Sequence, residues 1–301
     1  MKGAVDTPHM TAARENRIRI LFIDLDGTLL NSRAALGDDS RQAIKRCTDS
    51  GVTVVIATAR PPRSSKTFHD LLKLDTPSIH YNGALVYDFP SRHVLLHRPI
   101  PAPRAKALHD RTLQIDPSAV ISLEVCDRWY TNRRIDTFKT ETERIGFLPD
   151  YVGPLFQFLT EPVTKVLISF PEIGIAAGAG ALQDEFDGKL AFTKSEEGIL
   201  QVMDEGVTKG AAAAFLMNKL GIAREQSAAI GDAPNDIPML LAVGLPIAMA
   251  NAYPETKAAA REVTAANDEN GVALAIERLI LRDHSPAPQA PPEPQARRGN
   301  G

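Results

Sequence analysis

Residues 18–30 read IRILFIDLDGTLL. The stretch opens with an apolar run rich in branched side chains and stops abruptly at Asp24. A run of this kind, without polar alternation, predicts a strand covered on both faces, as in a parallel sheet. Beyond a polar loop, Asp39 or Ser40 can cap a helix whose apolar positions include Ala43, Ile44 and Cys47, and Gly51 supplies its stop. Residues 52–57, VTVVIA, predict a second buried strand. Strand, helix and strand in this order make a right-handed crossover unit.

Reading outward from this unit, Pro61 and Pro62 open a segment in which Phe68, Leu71 and Leu72 have helical spacing. A strand is expected over 78–81, a turn at Asn82-Gly83, and a further strand over 84–87. The texture changes after Asp88. Candidate strands at 93–97, 119–125 and 163–170, and helical stretches at 104–114 and 172–186, read as a separate α+β module over about 89–198. Strand–helix alternation then returns. Thr208 can cap a helix over 209–220, strands are expected at 227–230 and 245–248, and a helix near 236–242. An amphipathic helix over 271–281, with Leu274, Ile276 and Leu279 apolar, closes the fold. The expected class is α/β: a doubly wound, parallel Rossmann-like sheet built from 18–88 and 199–282, with the α+β module inserted at 89–198. Residues 1–17 read as a flexible extension, and 283–301, rich in proline and poor in apolar bulk, as a disordered tail.

Composition narrows the classes of function. An apolar content of 44%, a charged content of 24% and a formal charge of -3 are those of an ordinary globular protein. No basic stripe points to a nucleic-acid polymer. No apolar run approaches the roughly 20 residues that span a bilayer, and the first residues lack a signal-like apolar stretch, so cytoplasm is the expected compartment. Cys47 and Cys126 are too few and too far apart for a disulfide framework or a zinc site, and read as reduced thiols.

Open parallel sheets bind their ligands outside the carboxyl ends of their strands. Polar residues collect at those ends here: Asp24 and Asp26 after the first strand, Thr58 after the second, Lys209 at a helix start, and Asp232, Asn235 and Asp236 after a later strand. Several carboxylates in one cleft raise one another's pKa unless a cation relieves them. An all-oxygen ligand set suits magnesium. A lysine and a threonine beside such an ion suit phosphate oxygens, and phosphoryl transfer is mostly positioning plus positive charge. An aspartate can attack phosphorus and form an aspartyl-phosphate. Two aspartates one residue apart can divide the work, with Asp24 attacking and Asp26 moving protons.

These segments resemble the motifs of the haloacid dehalogenase superfamily. Asp24-Leu-Asp-Gly-Thr-Leu-Leu30 is similar to its first motif, Thr58 to the second, Lys209 to the third, and Gly231-Asp-Ala-Pro-Asn-Asp236 to the fourth. Tyr81-Asn-Gly-Ala84, Ile247-Ala-Met-Ala-Asn-Ala252 and Asn267-Asp-Glu-Asn-Gly-Val272 are similar to segments of its Cof-type phosphatases, so the resemblance covers roughly residues 18–280. It implies a nucleophile at Asp24 and an acid–base at Asp26. It implies Mg2+ held by Asp24, the backbone carbonyl of Asp26 and Asp232, with Asp236 behind the ion or joined to it through water. Phosphate contacts are implied for Leu25, Thr58, Ala59, Lys209 and Asn235, and a cap inserted between the second and third motifs. Ala59 stands where the family usually has glycine; it keeps the backbone amide but adds a methyl group.

Each residue also has a plainer reading. Asp24 and Asp26 could shape a strand-end turn, Asp232 and Asn235 could cap a helix, and Lys209 could be a solvated lysine in a first helical turn, where the dipole disfavours it. Asn82-Gly83 serves first as a turn, and Arg60 either reaches substrate or forms a surface salt bridge. In the module, Glu124, Trp129, Arg133, Arg134 and Lys165 either face the cleft or serve structure, and the histidines have no ligand-like spacing. The expected function is removal of phosphate from a small phosphorylated metabolite such as a sugar phosphate, a phosphorylated cofactor or a nucleotide. A phosphosugar mutase using the same intermediate, and a non-catalytic regulator that binds a phosphometabolite, are the alternatives.

Overall fold

The structure is a computed structural model that describes residues 17–134, 146–194 and 198–284. Residues 1–16 and 285–301, which hold most of the extension and tail read from sequence, lie outside the described residues.

The apolar run after Arg19 forms β1 (Ile20–Ile23). Helix α1 (Asp38–Asp49) leads to β2 (Thr53–Ile56), and α2 (Pro62–Leu71) to β3 (Ser78–His80). A tight turn over Tyr81–Gly83 leads to β4 (Leu85–Asp88) and β5 (His93–His97). Next come α3 (Ala102–Ile115), β6 (Val120–Val125), β7 (Arg128–Thr131), β8 (Tyr151–Val152), β9 (Lys165–Ser169), α4 (Ile175–Phe186), β10 (Leu190–Lys194) and β11 (Leu200–Asp204). The chain continues through α5 (Lys209–Leu220), β12 (Ser227–Gly231), α6 (Ile237–Ala242), β13 (Leu245–Ala248), α7 (Pro254–Ala258), β14 (Glu262–Val263) and α8 (Gly271–Ala275).

The first sheet is parallel throughout, with strand order β14-β13-β12-β1-β2. β1 lies in the middle: the chain moves one way to β2, and β12, β13 and β14 build the other side, so the direction of winding reverses at β1/β12. Successive residues of β1 serve opposite faces. Leu21 and Ile23 pack with Ala43, Ile44 and Cys47 of α1 and with Val272 and Ile276 at the end of the chain. Ile20 and Phe22 pack with Ala212, Ala213 and Leu216 of α5 and with Leu240 of α6. Full burial of one such side chain contributes about 1.5–3 kcal/mol, which explains why this strand carries no polar residue before Asp24.

A second, largely antiparallel sheet has the order β10-β11-β9-β6-β7-β8. Helices α3 and α4 cover it, with Leu108, Ile121, Ile168, Leu182 and Val202 in its core. The β3-β4-β5 sheet stands beside the parallel sheet, joined to it by a bridge between Ala57 and Ile79.

The element types follow the sequence reading, with local differences. The N-cap of α1 is Gly37, and neither Asp39 nor Ser40 caps it with a side chain; Asp38 and Asp39 lie inside its first turn, where carboxylates favour the dipole. Leu71 is exposed, and α2 buries the small face of Pro62, Ser64 and Ser65 together with His69. The strand at β7 has no turn signal before it, because Cys126 turns the chain with a left-handed φ of 53°, a conformation unusual for cysteine. The last helix changes to a wider π turn over Ile276–Ile280. β5 pairs with β4, and β11 pairs with β9. Sheet membership therefore changes after His97 and after Asp204, later on both sides than the texture of the sequence indicates. No helix among the described residues is long and apolar enough to cross a membrane.

Candidate active site

The strand ends bring four polar residues together. Asp24 follows β1 and Asp232 follows β12, and the parallel register pairs Ile23 with Ile230, so the two aspartates leave adjacent strands side by side. Asp24, Asp232 and Asp236 each offer a carboxylate oxygen, and these oxygens lie within 4.8 Å of one another. Lys209 enters from the start of α5, fully buried, and its Nζ donates to Asp24 Oδ1 at 2.5 Å and to Asp236 Oδ1 at 2.7 Å. Thr208 fixes that helix start by accepting from the Ala211 amide at 3.0 Å.

Asp236 is committed to its neighbours. Its Oδ2 accepts from the amides of Asp232 and Ala233 at 3.0 and 3.1 Å, while its Oδ1 takes Lys209. Asp232 Oδ1 accepts from the Thr28 hydroxyl at 2.7 Å. Gly27 explains how Thr28 comes so near: its φ is +75°, and a Cβ there would stand 2.4 Å from Asp232 Oδ2.

Burial sets the charges. It pushes the Asp24 carboxyl well above its ordinary value; Lys209 opposes this, and Asp236 and Asp232 add to it. Burial also raises Asp232 to about 6, against the Thr28 hydrogen bond. For Lys209, burial alone would favour the neutral amine, but Asp236 and Asp24 overcome it and hold the ammonium charged. Three carboxylates balanced by one ammonium form a site short of positive charge. The donor set is all oxygen and tightly grouped, which fits a hard divalent cation.

The other expected residues surround this centre. Thr58 is buried at the end of β2, where its amide donates to Ile79 O at 2.9 Å and its hydroxyl accepts from the Arg60 amide at 3.1 Å. Ala59 follows it, half-buried. Leu25 buries its side chain, and its carbonyl accepts from the Leu30 amide at 2.8 Å. Asn235 Nδ2 donates to Asn82 Oδ1 at 2.9 Å. Asn82 thus does more than turn the chain. Gly83, with φ +105°, lets that turn press against the head of α5, where a Cβ would meet Thr208 O at 2.2 Å.

Asp26 stands apart. Its carboxylate is turned to the Arg60 guanidinium, with Arg60 Nε donating to Oδ2 at 2.8 Å and a second, shorter bond from Nη2 to Oδ1. A salt bridge is present, but not at the surface as the sequence reading has it: the Arg60 side chain is 6% exposed. Thr28 lies inside the first motif, whereas Arg60 carries no motif signal of its own beyond following Thr58 and Ala59. The module residues gather elsewhere. Arg63 of α2 donates to both Glu124 oxygens at 2.7 and 2.8 Å, and Tyr81 donates to Glu124 at 3.0 Å. Trp129 lies under Arg63 and Lys165 over Tyr81. This buried cluster ties the antiparallel sheet to α2 and the Asn82 turn. Arg133 and Arg134 are exposed. Tyr81 lies in a segment quoted for the family resemblance, but its bond to Glu124 carries no sequence signal, and Arg63 has no periodic signature and could not be singled out from sequence.

Comparison with known proteins agrees with this arrangement. Residues 21–276 match the family model of the haloacid dehalogenase-like hydrolases. A 5-amino-6-(5-phospho-D-ribitylamino)uracil phosphatase of Bacillus subtilis is 30% identical over 268 residues, which covers 86% of this chain and 96% of the relative. A second Bacillus subtilis phosphatase of the same description is 32% identical, over 87% of this chain and 98% of its own. A haloacid dehalogenase-like hydrolase from Bacteroides thetaiotaomicron superposes with a TM-score of 0.78 at 27% identity, over 87% of this chain and 99% of that one. Family match, full-length relatives and fold lead to one conclusion: the chain belongs to the haloacid dehalogenase superfamily and is a phosphatase of its Cof type.

Proposed function

We propose that the chain is a Mg2+-dependent phosphomonoester hydrolase that acts on a small phosphorylated metabolite through an aspartyl-phosphate on Asp24. The observation that carries this reading is the grouping of the Asp24, Asp232 and Asp236 carboxylates within 4.8 Å, with the Lys209 ammonium against Asp24.

In this reading Asp24 and Asp232, with the backbone carbonyl of Asp26, hold the ion. Bound Mg2+ neutralises the carboxylates and draws charge from the phosphoryl oxygens. Lys209, Thr58, Asn235 and the backbone beside Leu25 and Ala59 hold the phosphoryl group in line with Asp24. An Asp24 oxygen bonds to phosphorus as the bond to the leaving oxygen breaks, and Asp26 gives that oxygen its proton. Asp26 then takes a proton from water as the water oxygen attacks phosphorus. The aspartyl-phosphate bond breaks, which frees phosphate and restores Asp24. Asp236 keeps Lys209 charged and aimed at Asp24.

The antiparallel sheet with α3 and α4 serves as the cap that closes over the cleft and selects the leaving group. The names of the Bacillus subtilis relatives support a phosphorylated metabolite and favour hydrolysis over a mutase reaction. Free thiols at Cys47 and Cys126 support a cytoplasmic setting. The test is phosphate release from a panel of phosphorylated metabolites with and without Mg2+. Release that requires the ion and is abolished in a folded Asp24→Asn variant supports the reading; near-wild-type release from Asp24→Asn overturns it.

A further inference from the structure

We propose that the amino-end face of the parallel sheet carries a second ligand site, which takes a polyphosphorylated small molecule with an apolar body. The cavity there is about 650 Å3, within the roughly 300–1,000 Å3 usual for small-molecule sites. Arg224, Arg261, Arg278 and Arg282 line it. They come from separate parts of the chain: Arg224 from the approach to β12, Arg261 from the approach to β14, and Arg278 and Arg282 from the final helical segment. Topology alone makes these segments neighbours, so the gathering of four arginines around the cavity does not follow from one charged helix face.

None of the four forms an ion pair among the described residues, although Glu225 and Glu262 line the same cavity. The Arg224 side chain makes one hydrogen bond among the described residues, from Nη2 to Leu241 O at 3.2 Å. The cavity therefore holds a surplus of positive charge. Guanidinium groups on several walls suit phosphate groups bound by paired N–H donors. Leu245, Leu279 and Ile18 supply an apolar wall for the body of the ligand.

The wall behind Arg224 is held in place. Ser227 Oγ donates to Arg224 O at 2.6 Å and accepts from the Gly244 amide at 3.3 Å. Gly244 packs so closely that a Cβ would stand 2.5 Å from Arg224 O. The site is distinct from the catalytic one. Arg224 precedes β12 and Asp232 follows it, and this strand of five residues separates the two ends by roughly 16 Å.

The experiment is calorimetric titration of the full chain with inorganic tripolyphosphate while vanadate blocks the catalytic site. The expected result is one tripolyphosphate bound per chain, with affinity lowered about tenfold in each of Arg261→Gln and Arg278→Gln. Both variants should release phosphate from an aryl phosphate at the wild-type rate, which shows that the fold and the catalytic site are intact. Absence of binding, or equal affinity in wild type and both variants, overturns the proposal. In a second arm β,γ-imido-ATP should bind more tightly than tripolyphosphate, and equal or weaker binding overturns the apolar part of the assignment.

Discussion

Arg60 holds Asp26 by both carboxylate oxygens, from a position almost wholly inside the protein. The arginine side chain is 6% exposed and the aspartate 46%, so the fixed partner orients the freer one. The planar guanidinium allows one carboxylate geometry, and Phe68 supports it from 5.6 Å. The pair connects the end of β2 to the loop after β1. It holds Asp26 as a carboxylate beside the cleft, so the fork must loosen before Asp26 can carry the proton that it gives to the leaving oxygen.

This relationship predicts a kinetic effect with little structural cost. Arg60→Lys keeps the charge and loses the fork, so kcat on an aryl phosphate should fall about tenfold or more, with KM nearly unchanged. Steady-state kinetics, with circular dichroism to check the fold, measures it. An unchanged kcat would show that the pair is incidental to turnover.

Thr28 supports Asp232 in the same way. Thr28→Val keeps the shape and leaves Asp232 Oδ1 without its 2.7 Å donor. The Mg2+ concentration for half-maximal activity should rise about 10- to 100-fold, as for other groups that orient a metal ligand. A Mg2+ titration at saturating substrate reads this directly, and an unmoved midpoint contradicts it.

Lys209 is bound up with stability as well as chemistry. Replacing it by methionine leaves Asp24 and Asp236 buried together without their cation, so Lys209→Met should cost about 3–5 kcal/mol in the metal-free protein. Urea unfolding in a chelator measures this. Added Mg2+ should recover part of the loss, because an ion can take over some of the neutralisation.

How far the sequence could reveal this site depended on what each residue contacts. Asp24, Asp232 and Lys209 were legible because strand ends and a helix start fix their positions through the backbone, and residues 18–30 and 231–236 carry distinctive spacing. Thr208 was legible as a cap because its bond to Ala211 is local. Arg60 stands out beside Thr58, but its pairing with Asp26, 34 residues away, does not, and Arg63 is not legible at all, since its partner Glu124 lies 61 residues away and long side chains leave no periodic trace. The strand at β7 was hidden because Cys126 makes a turn that sequence rules reserve for glycine or asparagine. The edges of the antiparallel sheet differ from the sequence reading because strand pairing, β5 with β4 and β11 with β9, is decided by packing and leaves no mark in local texture.

His80 sets part of the acid response. Burial, with a smaller push from His69, holds its imidazole down to about 3 against an ordinary 6.5. It is packed edge-on to Phe89, and its Nε2 has no hydrogen-bond partner among the described residues. Between these two values the unfolded chain binds the extra proton. The contribution is therefore complete above pH 6.5 and lost as pH falls, at about 1.4 kcal/mol per pH unit. Unfolding free energies should fall more steeply with acid in the wild type than in His80→Gln, and parallel slopes would contradict the assignment.

The aspartyl-phosphate on Asp24 is the centre of the account. Acid quenching during turnover, borohydride reduction and peptide mass spectrometry report which carboxylate carried the phosphoryl group. Residue 24 should be reduced to homoserine, with Asp26 and Asp232 untouched. Reduction at another aspartate, or none at any residue while turnover is rapid, would contradict it.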